Sequence, residues 1–167
     1  MPRTPLLVLT LLVSALGLAC DDSSRSQVVG SSSSGPAAPA GPHLQFLRAP
    51  DGEVGAAVRT ELERARADGR RLLVYVGATW CEPCQRFHQA AESGTLDAKL
   101  PPMRFLEFDL DKDQGRLAAA GYQSKFIPLF ALPQTDGRAT PGKAIEGSVK
   151  GPGAPDEITP RLLSLLQ

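Results

Sequence analysis

Neither sign of charge is in excess: Lys+Arg and Asp+Glu each number 18 in 167 residues. The charges are interspersed, and no basic block exists that could track phosphates, so nucleic acid is not an expected partner. Histidine is scarce, with 2 copies, and cysteine has only 3. A closed zinc site takes four ligands. His88 shares spacing with Cys81 and Cys84, but no second close cysteine pair exists to complete a cage, and His43 falls in the tether ahead of the domain, so no metal is expected. Long apolar runs are missing too, with one exception at the N-terminus. The remaining length has room for one ordinary domain plus appendages.

That exception reads "MPRTPLLVLTLLVSALGLAC". One positive charge, Arg3, precedes an apolar run from Leu6 to Leu18 that ends in small residues. The run falls short of the roughly 20 apolar residues that span a bilayer and has no amphipathic face, so it reads as a secretory signal over residues 1–19. "LGLAC" resembles the lipobox of bacterial lipoproteins, which implies cleavage before Cys20 and lipidation of that residue. Gly17 departs from the pattern, where leucine is usual. An acyl anchor contributes about 0.8 kcal/mol per buried CH₂. The following "DDSSRSQVVGSSSSGPAAPAGP" has almost no large apolar residues and cannot offset its ordering entropy. Residues 20–43 are therefore expected to be a tether that stands the domain off a membrane.

From residue 44 to 167 the pattern is that of a folded domain. "LQFLRA" suggests a short strand. Val54, Val58, Leu62 and Ala65 make one helical stripe, stopped at Gly69. "RLLVYVGA" is a continuous apolar run of the kind found in a strand covered on both faces. "ATWCEPCQRF" follows at once and leads into a helix ending near Gly94. "MRFLEFDL" is a strand, and "DKDQGRLAAAGY" is a helix with Asp111 as the expected N-cap. "FIPLFALP" is a strand opening at a proline, "TDGRA" a hairpin turn, and "KAIEGSVKG" its partner. The last helix is expected to carry Ile158, Leu162, Leu163 and Leu166 on one side. The order is β-α-β-α-β-α-β-β-α, a parallel half followed by an antiparallel hairpin.

The strand leading into "WCEPC", the later Ile127–Pro128 dipeptide, the hairpin and Gly147 together resemble the thioredoxin superfamily, particularly extracytoplasmic domains of the disulfide-interchange type. The resemblance spans essentially the whole domain. It implies a three-layer α/β/α fold with a mixed central sheet, a cis Pro128 beside the cysteines, and a site rim of Trp80, Glu82, Pro83, Ile127 and Pro128. In that family the backbone of the residue before the proline, here Ile127, pairs with an extended substrate segment. Glu-Pro between the cysteines also occurs in extracytoplasmic reductases that serve cytochrome c maturation. The implied partners are cysteine-containing exported proteins, apocytochrome c among them, and a membrane electron donor of the disulfide-relay kind.

The residue types suit this chemistry. Thiol–disulfide exchange needs an attacking thiolate, an accessible sulfur and a second thiol to resolve the mixed disulfide. At a helix start, Cys81 would face unpaired N–H groups and the positive end of the helix dipole, which favour S⁻. Cys84 lies one turn along the same face. Cys81 is thus the expected nucleophile and Cys84 the resolving thiol, expected to be the more buried, with no cofactor beyond their redox-active disulfide. Glu82 adds negative charge near Cys81 and would bias the couple toward reduction. Two other readings stay open: an oxidase or isomerase of the same fold, and a binding lipoprotein in which Cys81–Cys84 is a structural staple. Two departures stand out. Thioredoxins proper carry a buried aspartate six residues before the first cysteine, and that position is Tyr75 here. Glu107 and Asp109, on the next strand, are candidates for its proton-transfer role. Gln89 stands where a proline usually kinks the active-site helix.

Overall fold

The computed structural model describes residues 41–167. The signal, Cys20 and nearly all of the tether lie outside the described residues. Nine elements follow in the expected order: β1 (Leu44–Arg48), α1 (Val54–Ala67), β2 (Arg71–Gly77), α2 (Glu82–Glu92), β3 (Met103–Asp109), α3 (Leu110–Ala119), β4 (Leu129–Pro133), β5 (Ala139–Glu146) and α4 (Ala154–Leu165). The sheet order is β1-β3-β2-β4-β5. β1, β3 and β2 run parallel, while β4 is antiparallel to β2 and β5 to β4.

Strand periodicity explains the layers, because successive side chains point to opposite faces. Leu73, Tyr75, Met103, Phe105 and Phe130 meet Phe87 and Ala91 of α2 and Ile158, Leu162 and Leu165 of α4. Leu72, Val74, Val76, Leu106 and Phe108 meet Val54, Val58 and Ala65 of α1 and Leu117 of α3. Helices thus cover both faces of a mixed sheet, the expected three-layer arrangement. β2 is central and buried from Leu72 to Gly77, which is why its sequence is an apolar run rather than an alternation.

Local physics sets the boundaries. Asp109, not Asp111, caps α3: its carboxylate accepts the Asp111 N–H at 3.0 Å. The helix begins two residues earlier than an Asp111 cap implied. In α4 the buried stripe is Ile158, Leu162 and Leu165, an i, i+4, i+7 series, whereas Leu163 is exposed and Leu166 only half-buried. The hairpin closes through Gln134 N–H to Arg138 O and Gly137 N–H to Gln134 O. Buried Arg104 on β3 faces α1 and pairs with Glu61 at 3.3 Å and Asp68 at 2.5 Å, a satisfied charge cluster that the strand pattern did not reveal. At the other margin, His43 Nε2 lies 2.6 Å from Leu100 O, and the His43 carbonyl accepts from Met103 N–H. Among the described residues no helix is long and apolar enough to cross a membrane.

Candidate functional site

The site lies where β2 ends and α2 begins. Cys81 is the N-cap of α2, with extended backbone, and its Sγ accepts the Cys84 N–H at 3.3 Å. Pro83 occupies the first turn, where a missing N–H costs little. Cys81 and Cys84 form a disulfide with Cα atoms 5.2 Å apart. Burial does not distinguish the two: Cys81 is 4% exposed and Cys84 3%. The expected contrast in burial is therefore absent. What differs is the space each faces, because Cys81 lines one cavity and Cys84 another.

The cavity on the Cys81 side has a volume of about 580 Å³ and is bordered by Trp80, Glu82, Pro83, Phe126, Ile127 and the segment 146–150. Among the described residues, three of the four exposed large apolar side chains belong to it: Trp80 at 62%, Phe126 at 66% and Val149 at 52%. Exposed apolar surface gathered around a reactive sulfur is what a polypeptide-binding groove requires. Trp80 is held by its indole N–H, which donates to Asp111 Oδ2 at 2.8 Å. The opposite wall is pinned from two helices. Arg161 of α4 donates to the carbonyls of Gly147 and Glu146, both at 2.9 Å, while Glu82 of α2 accepts the Gly151 N–H at 2.9 Å. Gly147 has φ +67°, its N–H donates to Pro128 O at 2.9 Å, and an added Cβ would lie 3.1 Å from the Phe126 Cβ. Both the conformation and the close approach call for glycine.

The Glu82 carboxylate, though solvent-exposed in part, has two fixed partners. Its carboxylate takes the Gly151 N–H and the Arg86 guanidinium, the latter at 2.9 Å. These two hydrogen bonds, the backbone donor first, hold its pKa below the ordinary value. The Ile127–Pro128 bond is cis, and Pro128 is buried directly before β4. Pro128 is absent from the groove's lining, while Ile127 is part of it. No loop hydrogen bond among the described residues uses the backbone of Ile127.

The cavity on the Cys84 side, about 350 Å³, carries several titratable side chains in its lining. Tyr75, Gly77, His88, Glu107, Asp109 and Asp113 line it with Cys84. Tyr75 and Glu107 are direct register partners on β2 and β3, and Arg48 of β1 is Glu107's partner on its other side. His88 Nε2 lies 3.0 Å from Glu107 Oε1. The His88 ring packs at a tilt against Phe46, with centroids 3.8 Å apart, so it is not a bystander on the helix surface. Tyr75 is fully buried, and its hydroxyl has no hydrogen-bond partner among the described residues. Burial, then the Glu107 charge, pushes its pKa far above 10, so the phenol keeps its proton. Asp109 and Asp113 are engaged at the start of α3, where Asp113 accepts the Asp109 N–H at 2.8 Å. Among the described residues no His/Cys/Asp/Glu group could hold a metal ion.

A three-layer α/β/α sandwich whose central strand delivers a cysteine pair to the start of a helix is a thioredoxin-like fold. Residues 55–132 match the family model described as thioredoxin-like. A mutant thioredoxin from Halobacterium salinarum is 23% identical over 77% of this chain and 96% of its own, with a TM-score of 0.46. Trichomonas vaginalis thioredoxin is 19% identical over 75% and 97%, at 0.41. A poplar thioredoxin h is 18% identical over 75% and 97%, at 0.39. No curated protein matches the chain. The fold and the Cys81–Cys84 disulfide support thiol–disulfide oxidoreductase chemistry in general terms.

Proposed function

We propose that this protein is a membrane-tethered, extracytoplasmic thiol–disulfide reductase acting on disulfides of exported proteins. The observation that carries the reading is the Cys81–Cys84 disulfide, with Cys81 at a helix N-terminus and on the wall of an apolar groove. In the reduced protein the Cys81 thiolate attacks a client disulfide, forming a Cys81–client bond and expelling one client thiolate. Cys84, as thiolate, then attacks the Cys81 sulfur, closing the Cys81–Cys84 bond and releasing the second client thiolate. Two electrons pass to the client, and a membrane dithiol donor must return them. Trp80, Phe126 and Val149 receive an extended client segment, and the backbone of Ile127 lies beside it. The sequence assigns the anchor to Cys20.

Trapping and a potential test the reading together. Cys84→Ser should accumulate mixed disulfides with exported proteins on non-reducing gels, and Cys81→Ser should not. The purified couple, equilibrated with dithiothreitol and glutathione buffers, should lie nearer to about −270 mV than to about −120 mV. Equal trapping by both variants overturns the division of roles. A value at the oxidant end with normal trapping makes the protein an oxidase or isomerase instead.

A further inference from the structure

We propose that Lys150 is a specificity-determining residue of the groove, selecting client segments that carry a carboxylate close to the disulfide to be reduced. The proposal rests on the thiol–disulfide reading and narrows the class of client that the same groove accepts.

Lys150 is exposed and lines the groove together with Cys81. It belongs to residues 148–150, which lie between two glycines of positive φ, Gly147 at +67° and Gly151 at +90°. Both ends of this stretch are fixed from the helices. Arg161 donates to the Glu146 and Gly147 carbonyls, and Glu82 accepts the Gly151 N–H. Between them, Ser148 Oγ lies 2.7 Å from Glu157 Oε2. A backbone already held in place loses less freedom when a side chain it carries meets a partner. The Glu82 pKa is lowered first by the Gly151 hydrogen bond, then by Arg86, and last by the charge of Lys150. That charge therefore acts beside the residue that follows Cys81.

The other charges of the lining are already engaged within the protein. Glu82 pairs with Arg86, and Glu157 with Arg161 at 2.7 Å. Glu146 accepts from the N–H groups of Lys125 at 2.8 Å and Phe126 at 3.4 Å. Lys150 differs, because its ammonium makes no hydrogen bond or ion pair among the described residues. The N–H groups of Ser148, Val149 and Lys150 likewise donate to no backbone acceptor among them. Free donors beside occupied carboxylates favour a client group that is anionic and accepts hydrogen bonds. An aspartate or glutamate within two residues of the client cysteine meets that description. A lysine there would face a like charge, which selects against it.

The test uses the reduced full chain in single turnover with synthetic peptides, each closed by one disulfide. A glutamate is moved through the two positions on either side of a cysteine, and matched sets carry glutamine or lysine there. Peptide thiols are counted after acid quench. Each rate constant is divided by that for free dithiothreitol, which removes the intrinsic reactivity of the peptide. At one or more positions the wild-type chain should prefer glutamate over glutamine by about two- to fivefold, the range of an exposed ion pair. The preference over lysine should be larger. Both should shrink toward unity at about 1 M salt, where charges are screened beyond about 3 Å. Lys150→Gln should abolish the preference, Lys150→Arg should keep it, and Lys150→Glu should turn it toward lysine peptides. A merely structural role would slow all peptides alike and leave these ratios untouched. A wild-type chain without glutamate preference at any position overturns the proposal, as does an undiminished preference in Lys150→Gln. A wild-type chain that reduces none of the peptides defeats the thiol–disulfide reading itself.

Discussion

The two sides of the Cys81–Cys84 disulfide carry different side chains. Toward Cys81 the protein presents exposed apolar side chains on a wall of backbone, held by Glu82 and Arg161. Toward Cys84 it presents a smaller space lined by a phenol, an imidazole and carboxylates. The proposed function gives the two sides different tasks. A client chain must be bound without demanding one sequence, which apolar contact and backbone pairing allow. A proton must be moved to and from one sulfur, which requires titratable groups in fixed places. A single helix, α2, supplies a sulfur to each side.

The largest effect that can sharpen this contrast comes from stripping the groove. Phe126→Ser with Val149→Ser removes exposed side chains and should leave the fold intact. Burying a large apolar side chain is worth about 1.5–3 kcal/mol, so loss of these contacts should lower kcat/KM for a polypeptide disulfide by roughly ten- to a hundredfold. Reduction of hydroxyethyl disulfide, too small to fill the groove, should change by less than about twofold. Equal losses on both substrates would break the assignment of the groove to clients.

A smaller effect belongs to Glu82, which joins α2 to the groove's far wall. Its folded pKa lies below 4.5, through the Gly151 and Arg86 hydrogen bonds. A depressed pKa contributes stability that is fully present above the unfolded value and is lost as pH falls through the folded one. Urea midpoints of wild type and Glu82→Gln should therefore differ at neutral pH and converge in acid below that value. A constant gap down to low pH would show that the carboxylate charge is not what secures the wall. The smallest effect is a control remote from both sides. Gly115 lies inside α3 with nothing near an added Cβ, so Gly115→Ala should raise stability by up to about 1 kcal/mol in thermal unfolding. It should leave client reduction unchanged.

The architecture was legible in the sequence because its signals are local. An apolar run marks β2, spacings of three and four mark α1, and the cysteines sit at a strand-to-helix turn that needs no long-range information. The details that escaped also have local causes. Asp109 and Asp111 are both good capping residues, and only the strand's end decides between them. In α4 four leucines crowd the last turns, and helix phase admits Leu165 rather than Leu163. The groove side of the site was partly visible through Trp80 and Ile127, but Phe126 and Val149 join it only because the loops on either side of the hairpin fold back together. The rear cavity was hidden further. Glu107 was a candidate from its strand position, yet its meeting with Tyr75 depends on β2–β3 register, and its pairing with His88 on the packing of α2 across the sheet. Glu82 shows the same limit, since a residue adjacent in sequence to Cys81 accepts a hydrogen bond from distant Gly151.

Trp80 is the chain's single tryptophan, and it stands exposed next to Cys81, fixed by Asp111. Indole fluorescence therefore has one source, placed at the edge of the groove proposed to bind clients. Disulfides quench nearby indoles, so opening and closing of the Cys81–Cys84 bond should be visible as a change in emission intensity. A docked client that covers the ring should move the emission to shorter wavelength. The protein thus carries an intrinsic optical reporter of both its redox state and its occupancy, readable in real time without a label.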